Sequence, residues 1–234
     1  MILCLETATN LCSVALCNSA GIISLRESDE FKSHASMLTV FINKTLKENG
    51  IKASDLDAIA VSKGPGSYTG LRIGVSVAKG MAYAASLPLI GIDTTLSMFM
   101  GFLATQDEKT YGNDNIIFCP MLDARRMEVY YAVYDSSGNL VKGISAEIIK
   151  EDSFKELPES KNIIFFGNGA SKCKEVIKRK NVHFVENFRM SASHMLMPVF
   201  KAFNEHHFED VAYFEPFYLK DFITTKPGKN ILGI

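Results

Sequence analysis

The order of predicted strands and helices occurs twice along the chain, and this repeat constrains the fold more than any other feature. Short apolar runs separated by polar or glycine turns predict strands, and apolar positions recurring from His34 predict a helix that Asn49-Gly50 ends. The predicted elements of the first half are strands Ile2–Glu6, Cys12–Cys17 and Ile22–Arg26, the helix from His34, strand Asp57–Ser62, helix Leu71–Ala85, strand Leu89–Ile92 and helix Thr94–Ala104. Their order is βββαβαβα.

The second half repeats this order after a polar, glycine-containing stretch, Gln106 to Asn115. Its predicted elements are strands Ile116–Leu122, Glu128–Tyr134 and Leu140–Ile149, a short helix Asp152–Leu157, strand Asn162–Phe166, helix Ala170–Lys180, strand Val182–Val185 and helix Ser191–Glu205. Two such units predict an α/β protein with the duplicated ribonuclease-H-like fold of actin, hexokinase and Hsp70, the ASKHA architecture. We expect an N-terminal lobe, residues 1–105, and a smaller C-terminal lobe, residues 106–234, whose last residues pack back on the first lobe.

The composition is typical of a folded, soluble protein, with 47% hydrophobic and 22% charged residues. A formal net charge of -1 gives no overall basic field, so a nucleic-acid partner would have to be met by a local patch or by another subunit. No apolar run is long enough to span a bilayer, and Met1 to Leu5 lacks the features of a signal peptide. We therefore expect a cytoplasmic protein with no membrane partner, whose five cysteines are reduced.

The stretch from Ser62 to Gly74, SKGPGSYTGLRIG, is the most distinctive local sequence. It is not a P-loop, because Gly70 is followed by Leu71 rather than by lysine, and it lacks the third glycine of a dinucleotide fingerprint. Free backbone amides at Ser67 to Gly70 could still hold an anion. The alternative is that the glycines only turn the chain between a strand and a helix. The segment comprises Gly64, Gly66, Ser67, Tyr68, Thr69 and Gly70.

One acidic residue stands at the end of the first predicted strand of each half, Glu6 in the first half and Asp123 in the second. Nucleotide-using members of this superfamily bind metal and phosphate at these two positions. Glu6 is followed by Thr7-Ala8 and Asp123 by Ala124-Arg125, so both turns lack the glycine that lets a backbone approach phosphate closely. The two carboxylates could still coordinate a cation in a vestigial cleft. A later loop, Gly167-Asn168-Gly169, resembles an adenosine-binding loop, although a plain turn is favoured.

Metal sites and catalytic nucleophiles are not predicted. His34 is followed one helical turn later by Met37 and Leu38, so no helical histidine pair exists. Ser67 lies near the glycine segment but lacks the Gly-x-Ser-x-Gly elbow. We therefore expect no cofactor and no metal.

One face of the second long helix carries only small side chains. Gly74, Ala78 and Ala82 recur every four residues, and Val77, Met81 and Ala85 form a second row. Such a flat face would let another helix approach closely. The alternative is that this face packs on the protein's own sheet. The helix from His34 carries a large apolar stripe as well. Because this stripe and the small-residue face together exceed what one small sheet can cover, we predict a docking surface formed by both N-terminal helices. Its residues are Met37, Leu38, Phe41, Arg72, Gly74, Val77, Ala78, Met81 and Ala82.

Several segments together resemble the TsaB family, also called YeaZ, the inactive paralogue of the threonylcarbamoyl-transferase subunit TsaD. The most specific segment is GPGSYTGLRIG, from Gly64 to Gly74. The others are LETAT from Leu5, His34 at the start of the first long helix, MLDARRMEVY from Met121 and EPFYLKD from Glu215. Glu6 stands where many members carry aspartate, and Arg126 replaces a more usual small residue. The resemblance spans nearly the whole chain.

This resemblance implies a non-catalytic scaffold. Such a subunit joins TsaD, with TsaE, in making N6-threonylcarbamoyladenosine in tRNAs that read codons beginning with A, and it meets tRNA only through that complex. The catalytic relative binds metal through a His-x-x-x-His pair, of which His34 with Leu38 retains at most half. Family members pair through their two N-terminal helices, with TsaD or, when alone, with a second copy. The competing interpretations are an actin-like small-molecule kinase and a metallopeptidase.

Overall fold

Two five-stranded sheets form the framework of the protein. A computed structural model describes residues 1–29, 34–105 and 115–220. The first sheet and its helices comprise β1 (Ile2–Glu6), β2 (Cys12–Asn18), β3 (Gly21–Ser28), α1 (His34–Glu48), β4 (Ala58–Gly64), α2 (Tyr68–Ala85), β5 (Leu89–Asp93) and α3 (Thr94–Ala104). The remaining elements are β6 (Ile116–Asp123), β7 (Glu128–Asp135), β8 (Leu140–Ile148), β9 (Asn162–Phe166), β10 (Val182–Phe184) and α4 (Leu196–Asn204).

The two sheets have the same topology. The strand order is β3-β2-β1-β4-β5 in the first and β8-β7-β6-β9-β10 in the second. In each sheet the first three strands form an antiparallel meander, and the last two run parallel to the central strand. This repetition confirms the predicted duplicated α/β fold.

Two helices predicted in the second half are absent from the structure. Asp152–Leu157 is a series of turns, because Phe154 has a φ of +67°, which an α-helix does not allow. In Ala170–Lys180 only a short 3-10 turn, Ser171–Cys173, forms. The backbone amide of Lys178 donates to the carbonyl of Glu151 instead of continuing a helical ladder. Both segments still bury apolar side chains against the second sheet, so tertiary contacts there replace helical structure.

The first sheet is covered on both faces. Side chains alternate along its strands, so Leu3 and Leu5 pack with α1 and α2, while Ile2 and Cys4 face the other way. Across that second face lies α4 with the short 3-10 turn before it. The predicted last helix of the second half therefore packs on the first sheet.

Helix α3 follows the strands of the first sheet but packs on the second sheet. Its Met98, Phe99 and Phe102 are buried against side chains of that sheet. The rings of Phe99 and Tyr134 stack with centroids 4.7 Å apart, and those of Phe102 and Phe166 are 4.4 Å apart. Each sheet is thus covered on one face by a helix from the other half of the chain.

The last described residues run back along the first lobe. The amide of Glu209 donates to the carbonyl of Leu89, and that of Phe217 donates to the carbonyl of Lys63 at 2.6 Å. The Lys79 ammonium donates to the carbonyl of Phe214 at 2.7 Å. These bonds hold the segment against β5, β4 and α2. Among the described residues, no helix has the length and apolar character needed to cross a membrane.

Candidate docking face and interlobe cleft

The glycine segment connects β4 to α2 and packs against other backbone segments. A Cβ added at Gly64 would lie 2.5 Å from the carbonyl oxygen of Phe217, and one at Gly66 would lie 2.5 Å from that of Ala8. At Gly70 the added carbon would be 2.1 Å from the carbonyl oxygen of Thr7. These glycines are therefore required for close approach of protein backbone.

Backbone and side-chain groups of the same segment make internal hydrogen bonds. The amide of Ser67 donates to the carbonyl of Ala8 at 2.7 Å, and the Thr7 hydroxyl donates to the carbonyl of Gly70 at 2.8 Å. Ser67 also caps α2, since its hydroxyl oxygen accepts from the amide of Gly70. Tyr68 is half-buried and Thr69 is exposed at the start of the helix. These contacts favour the structural turn over a phosphate cradle.

Glu6 lies inside the first lobe and does not line a cleft. It ends the central strand β1 with its side chain fully buried. One carboxylate oxygen accepts from the amide of Ala8 at 2.6 Å, and the other accepts from the hydroxyl of Ser62. Burial raises the pKa of Glu6 from 4.5 to about 7, against the opposing effect of these hydrogen bonds. The expected role as a cleft cation ligand is wrong, because the carboxylate has no access to solvent.

Asp123 lies on the surface of the second lobe, paired with a lysine. The Lys172 ammonium is 2.5 Å from its carboxylate and also donates to the carbonyls of Arg126 at 2.7 Å and Glu128 at 2.6 Å. These are the oxygens that a bound cation would need, and the lysine occupies them. Glu6 and Asp123 are therefore not brought together in one site.

The loop that resembles an adenosine-binding loop packs against the protein's own backbone. Gly167 has a φ of +99°, and a Cβ there would lie 2.4 Å from the carbonyl oxygen of Met121. The loop at Gly167 to Gly169 is thus a turn packed on the end of β6. Across residues 1–29, 34–105 and 115–220, no cluster of three or more His, Cys, Asp or Glu side chains could hold a metal ion.

The small-residue row predicted to dock a partner is buried in the protein's own core. Gly74, Ala78 and Ala82 face the first sheet, and a Cβ at Gly74 would lie 2.3 Å from the Thr7 hydroxyl. Leu38 and Phe41 of α1 are buried in the same cluster. These five predicted contact residues are corrected to core positions, since the small side chains let α2 approach its own sheet closely.

A second row on α2 is exposed instead. Ser76, Gly80 and Ala84 also recur every four residues, and a Cβ at Gly80 would meet no atom within 4 Å. Half-buried Ile73, Val77 and Met81 lie beside this row, and half-buried Met37 lies on α1. The exposed residues Arg72 and Tyr83 stand at its two ends, and Tyr83 is 82% exposed. We call Arg72, Ile73, Ser76, Val77, Gly80, Met81, Tyr83 and Ala84 the α2 docking face.

The sequence contained a signal that separates the two rows. Large apolar side chains, Leu71 and Val75, flank the row that is buried, whereas Arg72 and Tyr83 flank the row that is exposed. Spacing of small residues alone could not decide between them, because both rows have the same period.

Two adjoining cavities lie between the lobes, and sequence reasoning missed them. Their volumes are about 550 and 840 Å³, and both are lined by Lys63, Asp93 and Glu209. The Lys63 ammonium is 3.6 Å from the carboxylate of Asp93 and 3.9 Å from that of Glu209, and burial raises the pKa of Asp93. Lys201 and Glu205 line the first cavity as well, so its lining carries two ammonium groups and three carboxylates. It therefore has no surplus positive charge for a nucleotide phosphate. This geometry disfavours the kinase interpretation.

Comparisons with known proteins agree with this fold. A family model described as "TsaD: tRNA N6-adenosine threonylcarbamoyltransferase" matches residues 28–226. A curated relative from Escherichia coli (strain K12), named "tRNA threonylcarbamoyladenosine biosynthesis protein TsaB", is 35% identical over 138 residues, which are 59% of this chain and 56% of that protein. A relative of the same name from Haemophilus influenzae is 26% identical over 240 residues, covering 98% of both chains.

A third relative with this name, from Buchnera aphidicola subsp. Schizaphis graminum, is 32% identical over 187 residues, which are 77% of this chain and 82% of that protein. The chain belongs to the TsaB family. A solved structure, "YeaZ from Pseudomonas aeruginosa", superposes on this TsaB-family chain with a TM-score of 0.78 and 22% identity, covering 93% of this chain and 99% of that one. At this identity the likeness shows the fold. It agrees with the duplicated topology described above.

Proposed function

We propose that this chain is a non-catalytic subunit that binds and activates TsaD in forming N6-threonylcarbamoyladenosine, in tRNAs that read codons beginning with A. The exposed α2 docking face carries this proposal, together with the names of the TsaB relatives. TsaE binds as part of the same complex, and tRNA binds to that complex rather than to the free chain. The setting is the cytoplasm.

The chemistry of the α2 docking face fits a second helix. Ser76, Gly80 and Ala84 leave room for a helix to approach closely, and the adjacent Ile73, Val77 and Met81 supply partly exposed apolar surface. Arg72 and Tyr83 at the ends are of the types enriched among residues that dominate binding energy. A small apolar centre with polar ends is typical of a protein–protein interface.

The state of the two strand-end carboxylates supports a non-catalytic role. Glu6 is buried in hydrogen bonds to Ser62 and Ala8, and Asp123 is paired with Lys172. Neither carboxylate is free to hold a metal or to take a proton from a substrate. The chain therefore acts through its partner: it stabilises the competent conformation of TsaD by binding that state more tightly than the idle one.

Formation of the heterodimer can be tested directly. When alone, the chain should pair with a second copy through the α2 docking face, and TsaD should displace that copy because both use the same surface. Light scattering after size-exclusion chromatography should show a homodimer that is converted to a one-to-one complex as TsaD is added. A homodimer that persists beside free TsaD would contradict the proposal.

A further inference from the structure

The turn between β6 and β7 presents two arginines in an unfavourable backbone conformation. Arg125 and Arg126 have φ angles of +69° and +47° and are exposed. The turn is closed by hydrogen bonds from the amide of Ala124 to the carbonyl of Glu128 and from the amide of Glu128 to the carbonyl of Arg125, both at 3.1 Å. Glycine and asparagine adopt such angles at lower cost than arginine. The two arginines therefore make this turn less stable than glycine or asparagine would.

The charges of these arginines are not neutralised locally. The two acidic neighbours are each paired with a lysine, Asp123 with Lys172 and Glu128 with Lys220. In the part of the chain that the structure describes, neither the Arg125 nor the Arg126 guanidinium has an ion pair or a side-chain hydrogen bond. The turn thus carries two surplus positive charges in a protein whose net charge is -1.

A pair of aromatic side chains lies near the lysine that pairs with Glu128, which follows this turn. Lys220 pairs with Glu128 of β7. The ring of Tyr218, two residues earlier, packs against that of Tyr68 in a tilted arrangement with centroids 4.8 Å apart. The Arg72 guanidinium lies 5.3 Å from the Tyr68 ring centroid. Two residues of extended chain span about 7 Å, so the Tyr218 backbone lies within about 7 Å of the lysine that pairs with Glu128. We call Arg125, Arg126, Lys220, Tyr218 and Tyr68 the basic–aromatic strip.

We propose that the basic–aromatic strip binds the tRNA directly while the chain is part of its complex with TsaD, so this inference rests on the proposed function. Guanidinium groups bind phosphate oxygens in bidentate geometry, and a partly exposed tyrosine ring offers a stacking face to an unpaired base. Because the strip offers few phosphate contacts, binding is measurable only where the complex supplies the rest.

The test compares charge-matched variants in the assembled complex. Arg125→Gln/Arg126→Gln removes both turn charges, and Arg189→Gln/Lys155→Gln removes two exposed charges that are paired with Asp29 and Asp152 elsewhere. The probe is an unmodified tRNA transcript that reads codons beginning with A. The turn variant should bind it roughly tenfold more weakly at 0.1 M salt, and its salt slope should fall by about 2. TsaD affinity should not change, and the control pair should bind tRNA as the wild type does.

A second variant distinguishes the loss of the arginine contacts to tRNA from a loss of stability of the turn. Arg125→Asn/Arg126→Gly gives the turn residues that prefer its backbone angles, so it should unfold at a higher temperature and still bind tRNA weakly. Unchanged tRNA affinity in both turn variants would overturn this inference and leave the proposed function intact, as would an equal loss in the control pair. Weakened TsaD binding instead would place the turn in a protein interface. A wild-type chain that does not bind TsaD overturns both proposals.

Discussion

Ala78→Asp should unfold the first lobe, whereas Gly80→Asp on the same helix should leave it folded and strongly weaken its binding to TsaD. Ala78 is fully buried against the first sheet, so aspartate there adds volume to a packed core and buries an unpaired carboxylate. The expected loss is about 3 to 5 kcal/mol, a large part of the stability of a typical domain. Gly80 is exposed with open space at its Cβ position, so its stability change should stay within about 1 kcal/mol.

Thermal unfolding of each variant and co-elution with TsaD measure the two effects separately. At position 80 a charge in the centre of the interface should weaken binding by about 2 kcal/mol or more. Gly80→Ala is the matched control, because it fits the same space without charge. If Ala78→Asp folded normally and only lost its partner, the buried assignment of this row would be wrong. If Gly80→Asp bound TsaD normally, the α2 docking face would lie outside the interface.

Glu6→Gln should remove a pH dependence of stability that the wild type shows between pH 4.5 and about 7. In this range the folded protein holds a proton on Glu6 that the unfolded chain has released, because burial raises the folded pKa to about 7. This stabilising contribution is complete below pH 4.5 and is lost as the pH rises through the folded pKa. The loss is about 3 kcal/mol, from the size of the shift.

The measurement is urea unfolding of the wild type and Glu6→Gln at half-unit pH steps. The difference in free energy of unfolding should move in favour of the variant as the pH rises, since glutamine keeps the hydrogen-bonding shape without ionising. Other titrating groups, including buried His194, are common to both proteins and cancel. Glu159→Gln, at an exposed position, controls for the loss of one carboxylate. A difference that does not vary with pH would show that Glu6 is ionised in the fold throughout.

Repeated local patterns allowed most of the framework to be predicted. Short apolar runs between turns predicted the strands, and Asn49-Gly50 correctly ended α1, with Gly50 at a φ of +67°. The helix at Asp152–Leu157 could not be excluded from the sequence, because no local pattern shows that Phe154 has a positive φ or that it is buried against the second sheet. Similarly, the exchange of α3 and α4 between the sheets is a tertiary property that no local period encodes.

The candidate site was less predictable than the fold. Helical period correctly identified α2 as a helix with small residues but could not orient it, so Gly74, Ala78 and Ala82 were placed on the wrong face. Charge alone could not show that Glu6 is buried while Asp123 is paired with Lys172. Glu209 joins Lys63 and Asp93 from more than a hundred positions further along the chain, and this grouping exists only in the folded protein.

The most direct test of the central claim is threonylcarbamoyl transfer to tRNA by matched TsaD and TsaE, supplied with the synthetase that makes the threonylcarbamoyl-adenylate, with and without this chain. We predict transfer when all components are present, little when this chain is omitted, and none from this chain alone. Gly80→Asp should behave as the omission does. Equal transfer without the chain, or transfer by the chain alone, would contradict its assignment as a non-catalytic activating subunit.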